Sequence, residues 1–343
     1  MKYRNLSDYD YHLPPELIAQ APLTKRDGSR MLVLNRQSGG REHTTFNKLP
    51  FYLREGDLLV LNNTKVIPAR LTGNVSGKDK TAEILLLHKL TNGDWVAMAK
   101  PGRRLKPGTV IEMEHSVQAF IVDYADKGLR VVRFSAPEPF ENLLPRLGKV
   151  PLPPYIKKEV EDPDQYQTIY AFENGSAAAP TAGFHFTKEV FEALKIKGVS
   201  VTFITLHIGP GTFQPVKVQD IREHIMHQEY FRMDANAAAD LNKHRESGGR
   251  IIAVGSTACR VLETAADSAG KFEAQEGWTG LYIYPGFNFR VVDAMLTNFH
   301  LPRSSLLMLV AALGGYDQIM TAYRDAVEKK YRFFSFGDCM LIL

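Results

Sequence analysis

Two cysteines in 343 residues exclude a disulfide framework, and a reducing compartment is the simple inference. The first ten residues hold no apolar signal region. The longest apolar run, Leu306 to Leu313, is far too short to cross a bilayer. These absences predict a soluble, cytoplasmic protein with no membrane partner. Repeats and low-complexity tracts are missing as well. No strand-like run leads into G-x-G-x-x-G, so the dinucleotide-binding fingerprint is excluded. Strong charge is lacking too, for the net charge is only +4.

That small charge is unevenly spread. Asn62 to Lys157 holds 15 Lys and Arg against 9 Asp and Glu, which leaves the remainder of the chain slightly acidic. A basic segment beside an acidic one points to a polyanionic partner, or to a domain that uses its charge for solubility. Four of the charges sit close together in Lys100-Pro101-Gly102-Arg103-Arg104-Leu105-Lys106.

The same stretch reads as strands. Short apolar runs at 58–61, 82–87, 95–99, 117–122 and 129–134 are punctuated by Pro101-Gly102, Pro107-Gly108 and the hairpin signal Asp126-Lys127-Gly128. Many short strands at close spacing predict a small antiparallel barrel. From residue 188 onward helical and strand periods alternate. Helices are expected over 188–198, 235–247 and 316–330, and after a Gly255-Ser256-Thr257 turn through Ala266, with strands over 199–207 and 251–254. This alternation predicts an α/β layer domain. The fold class is therefore an α/β main domain with a mixed sheet, plus an inserted antiparallel β-barrel.

Polar residues gather in a few segments. Thr297-Asn298-Phe299-His300-Leu301-Pro302-Arg303-Ser304-Ser305 joins a strand-like run to a helix start, where backbone N–H groups face outward unpaired. Ser304 or Ser305 is placed to cap that helix. Upstream lie Pro180-Thr181-Ala182-Gly183-Phe184-His185-Phe186, the Gly209-Pro210-Gly211-Thr212 loop, His224-x-x-His227-x-Glu229, and Gly255-Ser256-Thr257-Ala258-Cys259-Arg260. Six of the ten histidines fall between 185 and 300. The two glycines let backbone approach a ligand, or simply make a turn. Thr257 and Arg260 open a helix after a strand, which suits a carboxylate or phosphate. The His224–Glu229 set is either a metal site or a group of hydrogen-bonding imidazoles tuned by a carboxylate. It lacks the H-E-x-x-H spacing, so no metal is expected.

Taken in order, from Leu13-Pro14-Pro15-Glu16-Leu17-Ile18-Ala19-Gln20 to Tyr331-Arg332-Phe333-Phe334-Ser335-Phe336-Gly337-Asp338, these motifs resemble the S-adenosylmethionine:tRNA ribosyltransferase-isomerases of the queuosine pathway. The family's two-domain layout suggests a cut into 1–60 plus 158–343 and an inserted 61–157. The resemblance implies transfer of the ribosyl group of S-adenosylmethionine to 7-aminomethyl-7-deazaguanine at the wobble position of a tRNA. A base removes a proton next to the sulfonium, adenine leaves, the acceptor amine attacks, and epoxide closure releases methionine.

The resemblance offers His207, His227 and His300 as base or acid, with Glu229 and Asp338 as the supporting carboxylates. His185, Gly209, Gly211, Thr212, Thr257, Arg260, Asn298 and Arg332 would hold substrate, and Arg103, Arg104 and Lys106 would hold RNA. S-adenosylmethionine is the co-substrate, the other partner is the tRNA, no further cofactor is implied, and a monomer is expected. Phe184, Ala258, Cys259, Phe287 and Cys339 depart from the family's usual residues, which puts hydroxyl roles at 258, 259 and 287 in doubt. A non-catalytic RNA-binding protein and a metal-dependent hydrolase are the alternative readings.

Overall fold

The computed structural model describes residues 2–158, 162–209, 211 and 215–343. The chain begins with β1 (Arg30–Leu34), β2 (Arg41–Thr45), the short helix α1 (Leu49–Tyr52) and β3 (Leu58–Asn62). Next come β4 (Thr64–Val66), β5 (Arg70–Val75), β6 (Thr81–Lys89), β7 (Trp95–Lys100), β8 (Val110–Glu112), β9 (Gln118–Ala125), β10 (Leu129–Ser135) and α2 (Phe140–Leu147). After β11 (Glu173–Ser176) follow α3 (Lys188–Ile196), β12 (Ser200–Leu206), β13 (Glu229–Met233), α4 (Ala235–Glu246), β14 (Ile251–Val254) and α5 (Gly255–Ala265). The chain ends with β15 (Gln275–Thr279), β16 (Ala294–Asn298), α6 (Ser305–Gly314), α7 (Tyr316–Glu328) and β17 (Cys339–Ile342).

Two compact units result. The larger comprises residues 1–64, 154–172 and 180–343, and the smaller 65–153 and 173–179. Residues 173–179 thus join the smaller unit, a return crossing that the sequence cut at 60/61 and 157/158 does not include.

The larger unit is built on a nine-stranded mixed sheet in the order β15-β13-β12-β3-β14-β16-β17-β1-β2. Its central strands carry near-continuous apolar runs. Leu58-Leu59-Val60-Leu61, Ile251-Ile252-Ala253-Val254 and Cys339-Met340-Leu341-Ile342 are buried throughout. Such runs are what strands covered on both faces require. The helices start where the sequence supplies caps: Thr187 accepts from Val190 N–H, Asp234 from Ala237 N–H, and Ser304 from Leu307 N–H.

The smaller unit is a closed six-stranded barrel, β10-β7-β6-β5-β8-β9. Ile84, Leu86, Ala97, Ile111, Ala119, Ile121 and Val132 fill it. Sequence reading missed β5 because Gly73 and Asn74 interrupt its pattern. The glycine has a packing reason, since a Cβ there would lie 2.6 Å from the Glu112 carbonyl of the neighbouring strand. It missed α2 because Pro145 lies inside that helix.

The amino edge of the main sheet is pinned by a buried ion pair. Asp57, fully buried, accepts from Arg250 Nε at 2.9 Å and Nη2 at 2.6 Å, and from the Arg54 N–H at 2.8 Å. It joins the starts of β3 and β14. Removing one partner of a fully buried pair costs about 3–5 kcal/mol; Arg250 is 25% exposed and can be partly rehydrated, so the loss of Asp57 belongs at the lower end, about 3 kcal/mol. Asp57→Ala should therefore lower the unfolding free energy by that amount in urea titration. A loss below about 1 kcal/mol, the range of an exposed pair, would show that the contact carries little.

Candidate active site at the carboxyl edge of the sheet

Strand direction collects the polar motifs at one edge. β12, β3, β14 and β16 run parallel, so Leu206, Asn62, Val254 and Asn298 all end there. β17 runs antiparallel to β16 and pairs Cys339 with Asn298, which brings Asp338 to the same edge. β1 is parallel to β17, so Ser29 and Arg30 enter there too. β13 and β15 add Glu229 and Thr279, which face each other in the ladder. Ligands of open α/β sheets bind outside the carboxyl ends of the strands.

One group of side chains lies around the ends of β12 and β13. His207 follows β12, its Nδ1 is 2.7 Å from Thr64 Oγ1, and its ring stacks on Tyr230. Glu229 is 4 % exposed; its Oε1 accepts from the Gly209 N–H at 2.9 Å and its Oε2 pairs with Arg260 Nη1. Gly211 lies hard against His227: a Cβ there would come within 2.3 Å of the imidazole Cδ2. His227 is half-buried. His224 packs edge-on to Tyr282, and burial, then the nearby His227, lowers its pKa. Thr257 lies in the first turn of α5, and its Oγ1 is buried with no hydrogen-bond partner among the described residues. Thr212 lies outside the described residues.

Arg260 departs from the expectation of a ligand-binding fork. It is buried, and its donors go to the Leu281 carbonyl, the Thr279 carbonyl and Glu229. The guanidinium staples β15 and its following loop to α5, and it fixes Glu229 under Gly209.

A second group lies around the ends of β16 and β17. His185 closes the 3-10 turn Thr181–His185, with Nδ1 2.7 Å from Ser29 Oγ and Nε2 3.0 Å from Asn298 Oδ1. Asn298 donates to the Phe334 and Ser335 carbonyls. Phe334 has φ of +72°, rare for an aromatic residue, and the Asn298 amide helps hold it there. Ser29 and His185 line a small, shallow cleft with Arg26, Phe184, Ser335 and Phe336. Ser29 and Arg26 belong to no motif singled out in the sequence; only the fold brings them to His185.

Asp338 and His300 are also placed differently from the expectation. Asp338 is almost fully buried and accepts from the Arg30 N–H, Arg30 Nε and the Arg332 N–H. It organises the turn before β17. Arg332 gives Nη2 to the Ala21 carbonyl, while its Nη1 is buried without a partner among the described residues. His300 lies in the core, its Nε2 3.2 Å from Thr297 Oγ1 and its Nδ1 3.2 Å from the Tyr323 hydroxyl. Arg103, Arg104 and Lys106 are exposed on the barrel's β7–β8 connection. Among the described residues, no group of three or more His, Cys, Asp or Glu is placed to hold a metal ion. No single helix among them is long and apolar enough to cross a membrane.

Burial holds two of the imidazoles neutral, with pKa values drawn down to about 4 for His185 and about 3 for His300. An unfolded histidine titrates at about 6.5. Below that pH the unfolded chain binds protons that the folded chain refuses, so stability is full above pH 6.5 and falls as pH drops toward 4 and then 3. Each ring contributes a slope of roughly 1.4 kcal/mol per pH unit within its window. Urea denaturation across this range should show the fall, and His185→Gln should remove one ring's share. A flat profile between pH 6.5 and pH 4 would contradict the buried, neutral state of both rings.

Residues 6–342 match the family described as Queuosine biosynthesis protein. The S-adenosylmethionine:tRNA ribosyltransferase-isomerase of Symbiobacterium thermophilum is 52% identical over 98% of this chain and 99% of its own length. The protein of the same name from Desulfitobacterium hafniense is 50% identical over the same shares. A solved structure, the S-adenosylmethionine tRNA ribosyltransferase of Thermotoga maritima, superposes with a TM-score of 0.56 at 40% identity, covering 98% of this chain and 100% of that one. With the motifs in order along nearly the whole length and gathered at one sheet edge, the chain belongs to the queuosine biosynthesis protein family.

Proposed function

We propose that this protein is an S-adenosylmethionine:tRNA ribosyltransferase-isomerase and that its chemistry runs at the carboxyl edge of the main sheet. The reaction needs a base for the proton beside the sulfonium, an acid for the departing adenine and a site poor in water. The observation that carries the placement is His227 packed against Gly211, beside a loop whose Gly209 N–H is held by buried Glu229. A glycine backbone pressed on a half-buried imidazole lets a ligand lie close to the ring.

In this reading His227 takes the proton and His207, its Nδ1 fixed by Thr64, supplies the acid. Gly209, Gly211, Thr212 and the start of α5 at Thr257 hold the donor. The helix start offers unpaired N–H groups to the methionyl carboxylate. Glu229 and Arg260 are positioning residues. His300 and Asp338 receive no proton-transfer role, since their polar atoms are engaged inside the fold. Asn298 and Arg332 frame the second group, where a base or ribose can bind. We place the enzyme in the cytoplasm with its tRNA, needing no metal.

The direct test is adenine release from S-adenosylmethionine in the presence of tRNA carrying 7-aminomethyl-7-deazaguanine. Release should occur with chelator present and stop without the tRNA. No release under any condition would overturn the reading. His227→Ala should cut single-turnover rates by about two to four orders of magnitude. Gly211→Ala should reproduce much of that loss with His227 still present, because the added methyl group displaces the ring. Normal turnover in Gly211→Ala would remove His227 from the chemistry.

The barrel's basic turn is the proposed RNA contact. Phosphate contacts position RNA without reading sequence and make binding depend on salt. Replacing Arg103, Arg104 and Lys106 together with Ala should weaken tRNA binding and flatten its salt dependence, with donor binding intact. Equal affinity to the parent across a salt series would leave the turn as a solubility feature.

A further inference from the structure

The β9–β10 hairpin of the barrel carries an irregularity that decides where one aromatic ring points. The ladder pairs Val131 with Asp123 but Val132 with Ile121, so Val122 is an extra residue on β9. Ile121 and Val132 point into the barrel core. Strict alternation from Ile121 would turn Tyr124, three residues on, to the outer face. The bulge re-aims it. Tyr124 stands opposite Arg130 in the ladder, and the Arg130 guanidinium lies over its ring, 4.6 Å from the centroid. The arginine is 5 % exposed, whereas the tyrosine is 53 % exposed.

The cation beneath Tyr124 is the one that orders the basic turn. Arg130 Nε donates to the Leu105 carbonyl at 2.6 Å, and its Nη2 donates to the Gly102 carbonyl. Arg103, Arg104 and Lys106 are exposed on that turn. Asp123 pairs with Val131 and so faces the other side of the strand. An exposed ring beside outward-facing cations is the combination by which proteins hold single-stranded nucleic acid: phosphates meet the cations and bases stack on the ring. The cation–π contact with Arg130 fixes the ring before a base arrives, which lowers the cost of ordering it on binding.

We propose that Tyr124 is a stacking platform for one unpaired base of the RNA whose phosphates the basic turn holds. The proposal rests on the reading of that turn as the RNA contact, and it adds a contact that charge alone does not supply. A double-stranded stem keeps its bases stacked inside; only loops, bulges and ends offer a base that can be splayed onto a side chain. The occupant is therefore a single-stranded nucleotide of a structured RNA, close to phosphates that the cations can reach. Every base has a π-face, so stacking tolerates any sequence. The platform contributes affinity and orientation, not readout.

The test measures tRNA binding by the full chain over a salt series, for the parent and for Tyr124→Ala, Tyr124→Phe and Tyr124→Trp. Tyr124→Ala should weaken binding by roughly fivefold to a hundredfold at every salt concentration, with an unchanged slope, because stacking releases no counterions. Tyr124→Phe keeps a ring and should stay within about threefold of the parent. The indole of Tyr124→Trp should lose fluorescence as tRNA is added, beyond any change in the parent's own Trp95 and Trp278. A ring that only covers Arg130 would keep its emission. The inference is overturned if Tyr124→Ala binds like the parent, if Tyr124→Phe falls as far as Tyr124→Ala, or if the indole does not respond. Should Tyr124→Ala not fold, the Phe and Trp variants decide. Replacing Arg103, Arg104 and Lys106 together with Ala separates the two readings. Weakened binding in that variant with a silent indole at 124 counts against the platform alone. Unweakened binding counts against the turn as the RNA contact, and the platform falls with it.

Discussion

The end of β3 is the point on which the candidate site depends. β3 leaves the main sheet there, and a strand that ends inside a core must still satisfy its neighbour's backbone groups. Asn62, 1 % exposed, does this with its side chain. Its Oδ1 accepts from the Leu206 N–H at 3.0 Å and the Thr64 N–H at 3.1 Å, and its Nδ2 donates to the Leu206 carbonyl at 2.9 Å. The amide thus continues the β3–β12 ladder for one more step after the backbone has turned away. The next residue on β12's side is His207, whose Nδ1 meets Thr64. One buried amide therefore sets both the exit of the chain and the first imidazole of the site.

Buried charge at this edge follows a different logic from stabilisation. The Glu229–Arg260 pair takes two charges out of water, and such a pair is often no better for stability than apolar residues of the same volume. What it supplies is direction. Arg260 engages two carbonyls as well as the carboxylate, and Glu229 passes the constraint to the Gly209 N–H. The Gly209 N–H is thereby held from beneath by a charge-assisted bond.

Much of the scaffold was legible in the sequence because its signals are local. Caps at Thr187, Asp234 and Ser304 and the apolar runs of β3, β14 and β17 state their own structure. The site was legible only as a list of motifs. Sequence order could not say that Asp338 faces the backbone of Arg30 and Arg332, or that His300 lies between Thr297 and Tyr323. Those placements follow from strand order, which no local pattern encodes. Ser29 and Arg26 were invisible for the same reason: they precede β1, and only the parallel pairing of β1 with β17 carries them to the cleft.

The barrel repeats the main unit's device in simpler form and shows how to tell a working charge from a structural one. Arg130 is 5 % exposed, and its donors go to the carbonyls of Leu105, Gly128, Leu129 and Gly102. It ties both sides of the basic turn to the β9–β10 hairpin, as Arg260 ties β15 to α5. A cation whose donors all end on carbonyls has little left for an outside partner, whatever the motif around it suggests. Arg103, Arg104 and Lys106 lie on the turn that Arg130 fixes, and they are exposed. A turn ordered in advance loses less conformational entropy when it meets a polyanion than a free loop of the same charge. The positive balance of the barrel thus divides into one cation that shapes the surface and several that face outward from it.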